Sequence, residues 1–116
     1  MGAYAGLKAT VMGLGLHSGG LESARYLALG GADVTVTDLR DEKTLEPSIA
    51  ELEKSGKRIR YVLGRHEMED FSRADLVVKN PGVRIDSPYL AAARRIETDI
   101  SLFLAAAEPV RLSAAA

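Results

Sequence analysis

The feature that most constrains this chain is a glycine-rich loop between a strand-like run and a helix-like run. Residues 8–12 (KATVM) form a short β-branched segment typical of a buried strand, and residues 21–29 repeat apolar side chains at helical spacing. Between them lies the segment Gly13-Leu14-Gly15-Leu16-His17-Ser18-Gly19-Gly20. Glycines let a backbone turn tightly and approach a phosphate, whose charge then meets free N–H groups at a helix start. The pattern predicts either a phosphate-holding βα unit or a tight βα turn without ligand.

The rest of the chain continues this alternation. Strands are expected over residues 33–37, 60–63, 76–79 and 96–98, and helices over residues 47–54, 66–72 (short helix or turn), 100–107 and after Ser87. Pro47 suits the first turn of its helix, and Ser87 suits an N-cap before Pro88. The alternation predicts an α/β fold of Rossmann-like, doubly wound type, with a mainly parallel sheet of about five strands in a single domain, residues 1–116. Ligands of such sheets bind at the carboxyl ends of strands, which selects residues 13–20, 38–41 and 80–83.

Composition excludes several classes of function. The chain has 15 Lys and Arg residues against 16 Asp and Glu residues, so it lacks the basic excess of a nucleic-acid-binding module. It has no cysteine, hence no disulfide framework and no thiolate metal site. No apolar run approaches the ~20 residues of a membrane span. We therefore expect a soluble, cytoplasmic domain that binds neither nucleic acid nor membrane and has no metal site.

Two further loops carry candidate binding residues. Asp38 follows the second strand, about 25 residues after Gly13, where an acid takes ribose hydroxyls in dinucleotide sites. The alternative is a carboxylate that caps the following turn; for the binding role we expect Asp38 to be exposed. Arg40 is either a contact to a phosphate or carbonyl or an ordinary surface charge. Asn80-Pro81-Gly82 is either a purely structural turn, which this tripeptide favours by itself, or a contact to a base, since a glycine there leaves room for a flat ring.

The remaining polar residues do not assemble a reaction centre. His17 has two interpretations, a phosphate contact or loop filler, and His66, which precedes Glu67, is expected in a solvated turn. No serine has a nucleophile-elbow context or recognisably spaced His and Asp partners. The sequence predicts a binding site without catalytic residues.

Four segments in this order resemble a known family: VMGLGL at residues 11–16, DLR at 38–40, KNPGV at 79–83 and TDISLF at 98–103. Together they resemble the N-terminal domain of the D-glutamate-adding Mur ligases, over roughly residues 6–110. The glycine loop is common to many Rossmann-like proteins, whereas the Asn-Pro-Gly element paired with the TDISLF segment is much more specific. The family implies a three-domain cytoplasmic enzyme of peptidoglycan synthesis, which uses ATP and Mg²⁺ to join D-glutamate to UDP-linked muramoyl-alanine through an acyl phosphate.

The resemblance also implies residue roles. The N-terminal domain of the family holds the UDP part of the substrate, so Leu16 and His17 would contact the diphosphate. The loops at residues 38–40 and 80–82 would lie along the uracil. The candidate substrate-binding residues are Gly15, Leu16, His17, Ser18, Gly19, Asp38, Leu39, Arg40, Asn80, Pro81 and Gly82.

Two departures from the family pattern qualify this expectation. The loop at residues 16–20 is longer than the usual family version, and no GxxxxGK[ST] phosphate loop occurs anywhere in the chain. We therefore expect that the central ATP-binding and C-terminal domains of the parent enzyme are absent and that this fragment alone is inactive. The alternatives are the N-terminal domain of the alanine-adding Mur ligase, an NAD(H)-binding Rossmann module of a redox or regulatory protein, and a ligand-free structural domain.

Overall fold

A computed structural model describes residues 4–14, 19–98 and 101. Five strands form one parallel sheet: β1 (Lys8–Met12), β2 (Asp33–Asp38), β3 (Ile59–Leu63), β4 (Leu76–Lys79) and β5 (Ile96–Thr98). The connecting helices are α1 (Gly19–Leu29), α2 (Glu42–Glu53), α3 (Met68–Ser72) and α4 (Pro88–Ala91). The strand order is β3-β2-β1-β4-β5, the order of the Rossmann sheet, which confirms the predicted fold class.

The sheet buries both of its faces, because side chains alternate along each strand. Val11 of β1 and Val36 of β2 belong to one apolar cluster with Leu27 of α1 and Leu52 of α2. Met12 and Val77 face the other way, in a second cluster with Phe71 of α3 and Leu90 of α4. The helices therefore pack on both faces, as a doubly wound sheet requires.

The predicted strands agree with the observed ones to within one residue at each end, but the predicted start of α2 is wrong. This helix begins at Glu42, because Asp41 is its N-cap and accepts a hydrogen bond from the backbone N–H of Thr44 at 2.8 Å. Pro47 consequently lies inside the helix instead of in its first turn. The cap and the buried residues Leu45 and Leu52 hold the helix together despite the missing proline N–H.

The predicted capping role of Ser87 is also wrong in part. Ser87 precedes Pro88 at the first position of α4, as expected, but its side chain makes no capping hydrogen bond. The N–H of Leu90 instead donates to the backbone carbonyl of Ser87 at 3.1 Å, so the usual donor for the hydroxyl is already used.

Two expectations concern other parts of the chain. Apart from Ser101, the helix predicted at residues 100–107 lies outside the described residues. Among the residues that are described, no helix is long and apolar enough to cross a bilayer.

Candidate functional site

A cleft of about 220 Å³ lies at the carboxyl ends of the strands. It opens between β1 and β4. Strands β2 and β3 lie on one side of β1, whereas β4 and β5 lie on its other side, so the strand order reverses at this point. Ligands of open α/β sheets bind at this point of reversal. The cleft is lined by Gly13, Asp38, Leu39, Arg40, His66, Asn80, Gly82 and Val83. The predicted loops at residues 38–41 and 80–83 thus lie together at this cleft, along with Gly13, the first residue of the predicted loop at residues 13–20.

Asp38 is buried, with 4% of its surface exposed, so the expectation that it is exposed is wrong. Its Oδ2 accepts a hydrogen bond from the backbone N–H of Leu14 at 2.9 Å. Its Oδ1 accepts from the backbone N–H of Arg40 at 2.8 Å, which is the turn-capping alternative that the sequence left open. The carboxylate therefore connects the end of β2 to the glycine loop and to the following turn.

Arg40 covers the same carboxylate from the solvent side. Its Nε donates to Asp38 Oδ1 at 3.2 Å and its Nη2 to Oδ2 at 3.1 Å, while its side chain remains 47% exposed. Burial opposes ionisation of Asp38, but hydrogen bonds from the Arg40 side chain and backbone and from Leu14 outweigh it and lower the pKa of the carboxyl group. The same pairing raises the pKa of Arg40. With both oxygens engaged, Asp38 has little capacity left for a ligand hydroxyl.

Gly13 and Asn80 meet across the base of the cleft. Gly13 has a φ of +93°, and a Cβ placed on it would lie 2.8 Å from Asn80 Cβ, so only glycine fits there. The backbone N–H of Asn80 donates to the Met12 carbonyl at 2.9 Å, and its Oδ1 accepts from the N–H of Gly82 at 2.9 Å. Asn80 therefore shapes its own turn and sets it against the end of β1.

Lys79 is a residue of this site that the sequence reasoning missed. Its ammonium group donates to the carbonyl of Val83 at 2.8 Å and lies 3.4 Å from that of Asn80. It thus holds both ends of the Asn80–Val83 turn from the last position of β4. The position of a lysine directly before an Asn-Pro-Gly turn was the sequence feature that could have indicated this supporting role.

Gly20 is a second missed residue. A Cβ on Gly20 would lie 2.1 Å from the Gly13 carbonyl oxygen and 2.6 Å from that of Leu14. Gly20 is thus the close-packing glycine of the βα unit. The signal was the Gly19-Gly20 pair, of which only Gly19 was taken as a candidate residue. Helix α1 begins at Gly19, and the candidate residues Gly15, Leu16, His17 and Ser18 lie outside the described residues.

His66 is the third residue that was misjudged, because it lies in packed structure and not in a solvated turn. Its ring is half-buried against Phe71 and Tyr89, with ring centroids 5.8 and 5.1 Å away. Its Nδ1 lies 2.6 Å from the hydroxyl of Thr37, a buried residue of β2. Spacing along the chain gave no indication that residue 66 would fold back against the end of β2.

Of the remaining candidate residues, Leu39 lines the cleft and is 68% exposed, and Gly82 lines it from the opposite turn. Pro81 is exposed in that turn without lining the cleft. A second depression, of about 320 Å³, lies near the amino ends of β1 and β2 beside Lys8 and Asp33 and contains none of the candidate residues. Among the described residues, no three His, Asp or Glu side chains cluster in a way that could hold a metal ion.

The strand order defines a Rossmann-like, doubly wound α/β domain with a cleft at the point where the strand order reverses. A short chain dehydrogenase from Mycobacterium smegmatis has the same fold, with a TM-score of 0.55 and 24% identity over 72% of this chain and 39% of that one. The family described as Mur ligase MurD-like, N-terminal domain, matches residues 7–101. The chain belongs to this family.

Named relatives agree with the family. The UDP-N-acetylmuramoylalanine--D-glutamate ligase of Borreliella afzelii (strain PKo) is 53% identical over 94 residues, which cover 81% of this chain and 21% of the relative. The ligase of the same name from Roseiflexus sp. (strain RS-1) is 52% identical over 103 residues, or 85% of this chain and 22% of the relative. The chain thus spans about a fifth of the length of these relatives.

Proposed function

We propose that this domain holds the UDP moiety of UDP-N-acetylmuramoyl-L-alanine within a ligase that adds D-glutamate during peptidoglycan synthesis. The observation that carries the proposal is the cleft between the turns at Asp38–Arg40 and Asn80–Gly82, in a chain about half identical to ligases named for this reaction. Both turns are fixed by their own hydrogen bonds, so the cleft is formed before a ligand arrives.

The diphosphate would lie over the glycine loop and the base between the two turns. Strand β1 ends at Met12 and α1 begins at Gly19, so residues 13–18 connect a strand end to a helix start. A helix N-terminus provides free backbone N–H groups and a positive field, which suit a phosphate. In the proposal, Gly15, Leu16, His17, Ser18 and Gly19 contact the diphosphate, and the half-exposed Arg40 adds a cation at the edge of the cleft.

In this proposal the main role of Asp38 is structural. Its two oxygens accept from Leu14 and from three N–H groups of Arg40, so it fixes the two segments between which the nucleotide lies. The same bonds argue against the NAD(H) alternative. An acid that holds an adenosine ribose needs a carboxylate oxygen free for the hydroxyl groups.

The reaction itself would take place on other parts of the parent enzyme. We propose that ATP, Mg²⁺ and D-glutamate bind to a central and a C-terminal domain outside residues 1–116. The described residues include no cluster suited to a metal, and the sequence has no ATP-type phosphate loop, so no chemical step is assigned to this chain. Its part is to bind and orient the UDP-linked substrate, and the 116-residue chain alone would not catalyse.

Separate calorimetric titrations with UDP-N-acetylmuramoyl-L-alanine and with NAD test the proposal. We expect heat of binding from the uridine nucleotide and tighter binding of it than of NAD. Arg40→Ala should weaken that binding roughly ten- to hundredfold, since a charge-assisted contact contributes about 1.5–3 kcal/mol. Arg84→Ala is the matched control, because Arg84 pairs with Asp86 at an exposed position outside the cleft. Tighter binding of NAD would contradict the proposal.

A further inference from the structure

His66 borders the cleft with its imidazole ring held in place. The rings of Phe71 and Tyr89 meet it edge to face, with interplanar angles of 84° and 71°. The cleft that His66 helps to line is the one between the Asp38–Arg40 and Asn80–Gly82 turns. Its ring nitrogens therefore have defined positions relative to anything bound there.

The hydroxyl of Thr37 determines which ring nitrogen carries the proton. Thr37 Oγ1 lies 3.1 Å from the carbonyl oxygen of Arg65 and 2.6 Å from His66 Nδ1. A carbonyl only accepts and the hydroxyl has a single proton, so both contacts are hydrogen bonds only when the hydroxyl donates to Arg65 and Nδ1–H donates to the Thr37 oxygen. The arrangement that satisfies both contacts is therefore the neutral Nδ1–H tautomer, with a lone pair on Nε2.

Nε2 is available to a ligand. No described residue forms a hydrogen bond with it, and it is not among the buried polar atoms that lack a partner, so it keeps contact with solvent. Burial lowers the pKa of His66, and the charge of Asp38 opposes this only in part, which favours the neutral ring near pH 7. By contrast, the carboxylate of Asp38 is engaged on both oxygens.

A neutral acceptor at this position selects the chemistry of its ligand. It repels phosphate oxygens, which also carry lone pairs, and attracts an N–H group. The cleft, at about 220 Å³, is smaller than the ~300–1,000 Å³ of sites that enclose a drug-sized ligand, so it suits one ring of a nucleotide. A uracil-type base presents a ring N–H between two carbonyls, whereas cytosine has an unprotonated ring nitrogen in the same place.

We infer that His66 determines base specificity in the nucleotide site proposed above, its Nε2 accepting a hydrogen bond from the ring N–H of a uracil-type base. The inference rests on the proposed function, and Thr37 is the residue that positions the acceptor. A cytosine base would set one lone pair against another and lose the contact. Truncating or mismatching such a hydrogen bond costs about tenfold in affinity.

Two variants separate the acceptor from the packing of the ring. In His66→Asn, the amide reaches the region of Nδ1 and can still meet Thr37, but nothing replaces Nε2. In His66→Gln, the amide oxygen reaches the region of Nε2. Both variants lose the aromatic contacts with Phe71 and Tyr89, so a merely structural role would affect them alike. Titration with UDP and with CDP, up to millimolar concentration, then gives the ratio of the two dissociation constants for each protein.

We expect the wild-type chain to bind UDP at least tenfold more tightly than CDP, His66→Asn to lose this preference and His66→Gln to keep most of it. ¹⁵N NMR of the free protein should show His66 protonated at Nδ1. An unchanged UDP/CDP ratio in His66→Asn, equal binding of both nucleotides by the wild type, or a proton on Nε2 would overturn the role of His66 while leaving a nucleotide domain in place. Failure of the wild type to bind either nucleotide would count against the proposed function itself.

Discussion

The carboxylate of Asp38 accepts a hydrogen bond from the backbone N–H of Leu14, and this contact joins the end of β2 to the glycine loop that follows β1. The two strands are neighbours in register, with Met12 beside Thr37, so the loop and the acid leave the sheet at the same edge. Arg40 closes over the pair from solvent. The acid that sequence patterns associate with a ligand is here first a structural connection between two loops.

Asp38→Asn should therefore destabilise the protein. The amide carries no charge and cannot accept from Leu14 and Arg40 on both of its polar atoms. The expected loss is about 2 kcal/mol in the free energy of unfolding, within the range for hydrogen bonds to a charged group. Urea denaturation followed by circular dichroism measures it. Asp33→Asn is the control, because Asp33 is exposed on the same strand, and a loss as small in Asp38→Asn as in the control would contradict the structural role.

The contribution of Asp38 should also depend on pH. Its pKa in the folded protein is lower than the ordinary 3.8, so the folded state holds this proton less tightly than the unfolded state does. The stabilisation is then complete above about pH 4 and is lost as the pH falls through the folded-state pKa. Urea denaturation at pH 7, 5 and 3 should show the difference between wild type and Asp38→Asn shrinking at the most acidic value. A difference that grows at pH 3 would refute the assignment.

Gly20→Ala should be strongly destabilising because of the carbonyl oxygens at 2.1 and 2.6 Å from the new methyl group. Both belong to backbone that the parallel sheet and the Asp38 contact hold in place, so neither can yield easily. We expect a loss of about 3 kcal/mol, the upper part of the range for overpacking. Ser23→Ala, at another fully buried position of α1, introduces no such contact; it removes a buried hydroxyl that has no partner among the described residues, and it should leave the unfolding free energy unchanged or slightly raised. Thermal unfolding of the two variants side by side distinguishes a steric effect from a general sensitivity of this helix.

Lys79→Met should loosen the turn that borders the cleft. The variant keeps the length of the side chain but removes the ammonium group that donates to the Val83 carbonyl. We expect about 1–2 kcal/mol less stability and weaker binding of UDP, since the Asn80–Gly82 turn loses its support. Chemical denaturation and calorimetry measure the two effects. Lys57→Met, at an exposed position after α2, is the matched control, and equal affinities for UDP in both variants would show that the turn does not need Lys79.

Local patterns predicted the fold well because each strand carries its own signal. The β-branched runs in β1, β2 and β4 and the turns that end them fixed strand positions to within a residue. The error at α2 arose because the start of the helix was placed at Pro47 and not after Asp41. Asp is a preferred N-cap residue, and the side chain of Asp41 accepts a hydrogen bond from the backbone N–H of Thr44, three residues later.

The site was less predictable, because its geometry depends on contacts between distant segments. Asp38 is held in its buried position by a hydrogen bond from the backbone N–H of Leu14, which lies 24 positions earlier. The ring of His66 is held by a contact with the hydroxyl of Thr37, which lies 29 positions earlier. No spacing rule expresses such pairs. The same limit applies to Gly20, whose importance appears only once α1 is set against the carbonyls of residues 13 and 14.

Tyr61→Phe should stabilise the protein, in contrast to the other variants. Tyr61 lies on β3 with its hydroxyl buried, and no described residue is its hydrogen-bond partner. Burial, with a smaller effect of the charge on Glu53, raises the pKa of Tyr61 to about 12. The phenylalanine variant removes the desolvated hydroxyl and should gain up to about 1 kcal/mol, as measured by urea denaturation at pH 7.

The effect of Tyr61→Phe should grow at high pH. Because the pKa of Tyr61 is raised in the folded protein, the unfolded state ionises first, and the wild type loses stability as the pH rises from 10 to about 12. The variant lacks this loss, so its advantage over the wild type should increase between pH 9 and 11. Tyr89→Phe serves as the control, because its hydroxyl is not among the buried atoms without a partner. A destabilised Tyr61→Phe, or an advantage that does not change with pH, would mean that the hydroxyl has a favourable partner in solution.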